Sequence, residues 1–179
     1  EEAFLLTRAE RGDAEAQFDL GSRCFYGQGM PKNEAQAVHW FKKAAESGHG
    51  PAQNFVALMY GQGQGVTVDF AQAAAWALKA AEQGQARGQG LLAMMIFDGR
   101  GVPRDAIEGY KWAILAAART REDDMKEYVA RSLQIMASKM TEGQIAEAND
   151  RARKWTAAWL VVEDEVREKA VRTFCAEGP

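Results

Sequence analysis

The chain has 179 residues, 47% of them hydrophobic and 26% charged, with four prolines and two cysteines. Its 22 Lys and Arg stand against 25 Asp and Glu, a formal net charge of −3, which counts against a general nucleic-acid binder. No apolar run is long enough to cross a bilayer, and two cysteines near opposite ends make neither a disulfide framework nor a metal motif.

Abundant alanine and sparse β-branched residues predict an all-α chain. It starts at Glu1 rather than Met and shows no signal peptide, so a processed or excised form is expected. Residues 1–11 read as half a unit: FLLTRAERG aligns under WFKKAAESG, with Phe4 at the position of Trp40. This predicts a helix that ends, or imitates, a repeat.

From residue 12 the chain repeats. Gly27 and Gly29, Gly63 and Gly65, and Gly99 and Gly101 recur at an offset of 36 residues. Trp40, Trp76 and Trp112 share that offset, as do Gln17, Gln53 and Gln89, and the alanine pairs beginning at Ala44, Ala80 and Ala116. A fixed period in this range means stacked supersecondary units. The units are read as 12–47, 48–83 and 84–119. Each begins with a helix whose core face in the first unit is Ala16, Leu20 and Cys24. A second helix starts at Asn33, Asp69 or Asp105, followed three residues later by Gln36, Gln72 or Glu108, which resembles a capping box. Down it run Ala37, Trp40 and Ala44, one stripe at spacings of three and four. Gly48 and Gly84 release the chain.

The glycine pairs invite a phosphate-loop reading. Such a loop follows a strand, opens a helix and occurs once. These follow a helix and recur in every unit, and Gly-Lys-Ser/Thr is absent. They are read as turns.

After Thr120 the period fades. Residues 120–142 read as a degenerate repeat or cap helix, with Met125, Val129, Leu133 and Met136 on one face. Thr141 and Gln144 form another capping box, and 143–179 reads as a long helix and tail. Ile145, Ala148, Ala152, Trp155, Trp159, Val162 and Val166 follow heptad-like steps. The distal part needs another surface, either this chain's own groove or a second molecule. The seam favours a homodimer paired through Trp159, Val162, Val166 and Phe174.

The run AEAQFDLGSRCFYGQGMPKNEAQAVHWFKKAAESG resembles the Sel-one-like repeat, a cousin of the tetratricopeptide repeat. Leu20-Gly21, Gly27, Gly29, Asn33, Ala37, Trp40 and Lys43-Ala44-Ala45 match its motif, and the next two units match through Gly63, Gly65, Asp69, Trp76, Gly99, Gly101, Asp105 and Trp112. Cys24 and Ile96 replace the family aromatic. The resemblance implies a right-handed α-α superhelix whose first helices line a concave groove, and a non-catalytic adaptor or regulator for a protein or peptide partner. It also implies a bacterial protein that is exported, periplasmic or secreted, with a cytoplasmic one as the alternative. Two rivals stand beside it. Some cysteine-rich relatives are linked to β-lactam binding or hydrolysis, but they carry a cysteine pair in each repeat; the chain could also be a structural domain of a larger protein.

Candidate chemistry is thin. His39 faces away from the core stripe and His49 follows a helix-ending glycine, so both are read as solvated surface histidines, outside metal-ligand spacing. Asp123-Asp124 and Glu163-Asp164-Glu165 are contiguous and do not converge. Arg151, Arg153 and Lys154 are too few to bind a phosphate backbone. Cys24 is read as a buried thiol and the repeat tryptophans as core. No cofactor and no metal are expected. The free face of the first helices is read as the partner groove: Phe18, Ser22, Phe25 and Tyr26; Asn54, Leu58 and Gln62; Met94, Phe97 and Asp98. The alternative is that Phe18, Phe25 and Phe97 wedge between repeats.

Overall fold

The computed structural model describes residues 2–121 and 123–158. Among them are nine helices and no strand: α1 (Glu2–Glu10), α2 (Ala14–Tyr26), α3 (Glu34–Glu46), α4 (Gly50–Gln62), α5 (Phe70–Glu82), α6 (Ala86–Asp98), α7 (Ala106–Arg119), α8 (Asp123–Ala137) and α9 over 142–158. Trp159, Val162, Val166 and Phe174 lie outside the described residues, as does the acidic run at 163–165.

The helix ends follow from side-chain chemistry. Asn33, Asp69 and Asp105 each accept the N–H of the third residue on, at 3.0, 3.0 and 2.9 Å, which satisfies a donor the helix itself leaves open. Thr141 and Gln144 make the reciprocal box: the Thr141 N–H donates to Gln144 Oε1 at 2.9 Å and the Gln144 N–H to Thr141 Oγ1 at 3.3 Å. Gly27, Gly63 and Gly99 close α2, α4 and α6 in the left-handed conformation. Each connecting loop is then pinned to its own first helix. The N–H groups of Asn33, Asp69 and Asp105 donate to the carbonyls of Cys24, Tyr60 and Ile96.

Within each unit the two helices pack together, α2 on α3, α4 on α5 and α6 on α7; successive units meet through α3 with α4 and α5 with α6. The recurring glutamines make that second joint. Gln17, Gln53 and Gln89 are buried, and their amide groups donate to the carbonyls of Ala9, Ala45 and Ala81 at 2.9, 3.1 and 3.1 Å. Each ties a first helix to the C-terminal end of the helix before it, where the carbonyls have no partner within the helix.

Trp76 and Trp112 are core residues and Trp40 packs on the core, as the period requires. The ammonium groups of Lys43 and Lys79 lie 4.8 and 4.2 Å from the ring centres of Trp40 and Trp76, close enough for cation–π attraction. The first unit solves its packing differently from the others. Phe41 is fully buried where Ala77 and Ala113 stand in later units. Gly21 makes room for it: a Cβ there would lie 2.7 Å from the ring, and the matching residues later are Ala57 and Ala93.

Phe4 does not repeat the role of Trp40. It is 69% exposed, and the buried face of α1 runs through Leu5 and Ala9, packed on Ala16 and Leu20. Those residues correspond to Phe41 and Ala45, the face turned toward the next helix. At the other end α8 packs on α7 and α6, and α9 follows it. Val129 and Met136 are buried, Ala152 joins the core, and Trp155 meets the Trp112 ring edge-on at 5.4 Å.

Candidate protein-binding groove

The helix period fixes which first-helix positions share the outer face. Residues 51, 54, 55, 58 and 62 of α4, with 87, 91, 94 and 98 of α6, form one stripe, and α8 lies beside α6. Three hollows run along it. One of about 560 Å³ is walled by Tyr26, Asn54, Phe55, Arg87, Arg121 and Met125, among others. The next, about 150 Å³, shares Asn54, Arg87 and Met125 with it and adds Leu58, Leu91 and Tyr128. A third, about 230 Å³, shares Leu58, Leu91 and Tyr128 and continues to Gln62, Met94 and Asp98. The shared walls make one groove across α4, α6 and α8. Aromatic, leucine and methionine side chains dominate its middle, and Tyr26 and Tyr128 are half exposed.

Of the groove residues expected from sequence, Tyr26, Leu58, Gln62, Met94 and Asp98 line these hollows. Phe97 does not. It is 3% exposed in the core between α6 and α7, because it lies one residue, or about 100°, around the helix from Asp98. Phe18 and Phe25 are likewise drawn inward. Phe18 lies 5.5 Å from Phe41 and Phe25 lies 6.1 Å from Phe55, with Phe41 and Phe55 stacked at 4.8 Å. They fill the joint between the first two units, which is the alternative left open by the sequence. Ser22 donates its hydroxyl to the Phe18 carbonyl and stands apart from the hollows. Asn54 lines the groove, yet is only 7% exposed.

Sequence reasoning missed Phe55 and Leu91, which share a repeat position, and Met125 and Tyr128. The first pair was hidden by Asp19, the polar residue at the same position in the first unit. The second pair lies where the period has faded.

The titratable groups do not gather. His39 is exposed. His49 is not a solvated histidine: its Nδ1 accepts the Ala52 N–H at 3.2 Å, capping α4, and its Nε2 meets Glu15 at 3.0 Å. Its ring packs 4.6 Å from Phe18, so it joins two units. Cys24 is buried beside Met30, sulfur to sulfur 3.3 Å, and burial pushes its thiol above the ordinary range. A thiol held protonated is a poor nucleophile. Among the described residues no three His, Cys, Asp or Glu side chains are grouped to hold a metal ion.

A family model described as the Sel1 repeat matches residues 14–49, 50–85 and 86–120. A protective antigen present in uropathogenic Escherichia coli strains, whose crystal structure displays an SLR fold, is similar at 32% identity and a TM-score of 0.75. That match covers 90% of this chain and 35% of the antigen, so the chain spans about a third of its length. A Sel1 repeat protein from Oxalobacter formigenes is similar at 32% identity and a TM-score of 0.65, over 74% of this chain and 96% of that one. No curated protein matches.

Proposed function

The chain belongs to the Sel1-repeat family, and from that premise we propose that it is a non-catalytic protein–protein interaction module, an adaptor or regulator, that holds a segment of a partner protein in the groove across α4, α6 and α8. The observation that carries this reading is the continuity of the groove. Its apolar middle is built from half-buried side chains, Leu58, Leu91 and Met94, at the outer edge of the core, and Tyr128 stays 49% exposed there. Clustered exposed apolar groups mark contact sites, and methionines let such a surface adapt. The family favours protein partners and scaffolding over catalysis.

Selection of a random peptide library on the intact chain provides the test. Leu58→Ser with Tyr128→Ser is expected to weaken the best selected peptide by at least about tenfold, since such anchors dominate binding energy. Leu78→Ser, on α5 at the opposite cleft, is expected to leave affinity unchanged. Far-UV circular dichroism of all variants should match the parent. Undiminished binding by the double variant contradicts the reading.

A further inference from the structure

A second cleft, of about 660 Å³, opens between α5 and α7. Leu92 and Ile96 of α6 turn toward it, away from the groove side of that helix. Ile96 stands where the middle unit has Tyr60, and the smaller side chain leaves room beside Trp112. Ala71, Ala75 and Leu78 of α5 line the cleft and are exposed, Leu78 by 40%. Their spacing of four and three makes one apolar stripe. The matching positions of α3 are Ala35, His39 and Lys42, so the repeat does not dictate an apolar surface here.

α9 reaches this cleft. Arg151 lies 3.5 Å from Glu108, near the start of α7, and Trp155 meets Trp112 one turn further on. That order means α9 runs in the direction of α7, which is also the direction of α5, since each unit is one hairpin. α9 therefore heads from the Glu108 end of the cleft toward the Leu78 end. Where it passes, Lys111 is only 7% exposed, whereas its counterparts His39 and Ala75 are exposed. The inward face of α9 carries Ala148 and Ala152, both buried, and then Trp155 at the cleft wall. In the sequence, Trp159, Val162 and Val166 carry the same three-and-four spacing on.

We infer that residues 159–166 of this same chain occupy the rest of the cleft, with Trp159 on Leu78. Position 159 lies at most about 14 Å along the chain from Trp155, so a second copy competes for the cleft only at about millimolar concentration. Covering Leu78 with the indole removes apolar surface of both from water. The heptad-like seam then serves this chain and not a pair of chains. The groove across α4, α6 and α8 stays open, so this inference does not depend on the groove being the partner site.

A benzophenone amino acid at position 159 of the intact chain tests this. Irradiating a mixture of isotopically light and heavy chains, with no peptide present, is expected to give an adduct to α5 within one chain. An adduct joining a light chain to a heavy one, an adduct to Leu58 or Tyr128 in the groove, or no adduct at all overturns the inference. A denaturant cycle tests the same contact with a matched control. Leu6 of α1 stands two units before Leu78, 41% exposed in the equivalent cleft beside Trp40. Leu78→Ser and Trp159→Ser should each lower the urea midpoint, and together should lower it no further than the larger single change, since either one breaks the contact. Leu6→Ser should add in full to Trp159→Ser. Additive losses for Leu78→Ser with Trp159→Ser would overturn the inference.

Discussion

Replacing Gly101 with alanine is expected to destabilise the chain by about 3 kcal/mol, combining a left-handed backbone penalty of about 1–2 kcal/mol with overpacking of similar size. Gly101 sits at φ +73°, and a Cβ there would fall inside the Phe70 backbone carbonyl. Gly65 repeats the arrangement at φ +71°, with a Cβ 2.5 Å from the Glu34 carbonyl. So the two glycines of the second and third pairs divide the work. The first ends a first helix; the second lies against the opening turn of the preceding unit's second helix. Gly99→Ala separates the terms. It shares the backbone strain at φ +74°, but its nearest contact is the Arg104 side chain at 3.1 Å, and it should cost about 1–2 kcal/mol. Urea denaturation of both variants measures the difference. Equal losses would mean that the inter-unit contact contributes nothing.

Trp76→Ala should cost about 3–5 kcal/mol, the usual range for emptying a large aromatic site in a core. Trp76 is 6% exposed in the middle unit, so units on both sides pack against the residues it supports. The substitution also removes the ring beneath Lys79. His39→Ala, on an exposed position, should cost under about 0.5 kcal/mol. A denaturant midpoint for Trp76→Ala close to that of His39→Ala would show that the second-helix faces are misassigned.

The repeating parts of the fold were legible because one physical requirement recurs three times in the sequence. Asn33, Asp69 and Asp105 announce a helix start in each unit, and the glycine pairs mark each turn. The recurrence of Gln17, Gln53 and Gln89 was visible, but not its reason, since the carbonyl each one binds lies eight residues upstream in another helix. The groove was legible only in part. A repeat period alone does not say which of two neighbouring helix positions turns toward the core. Phe25 and Phe97 therefore looked as suitable as Tyr26 and Asp98, although a single step around the helix separates core from surface. Phe55 and Leu91 escaped because outward positions vary between units. Met125 and Tyr128 escaped because α8 has lost the period that would have shown which face it turns toward α6.

Photo-crosslinking gives the most direct test of the groove. A benzophenone amino acid is placed at position 58, inside the groove, or at position 78, on α5, and each intact chain is irradiated with the library-selected peptide. The groove reading requires an adduct from position 58 and none from position 78; an adduct from position 78 with none from position 58 would contradict it.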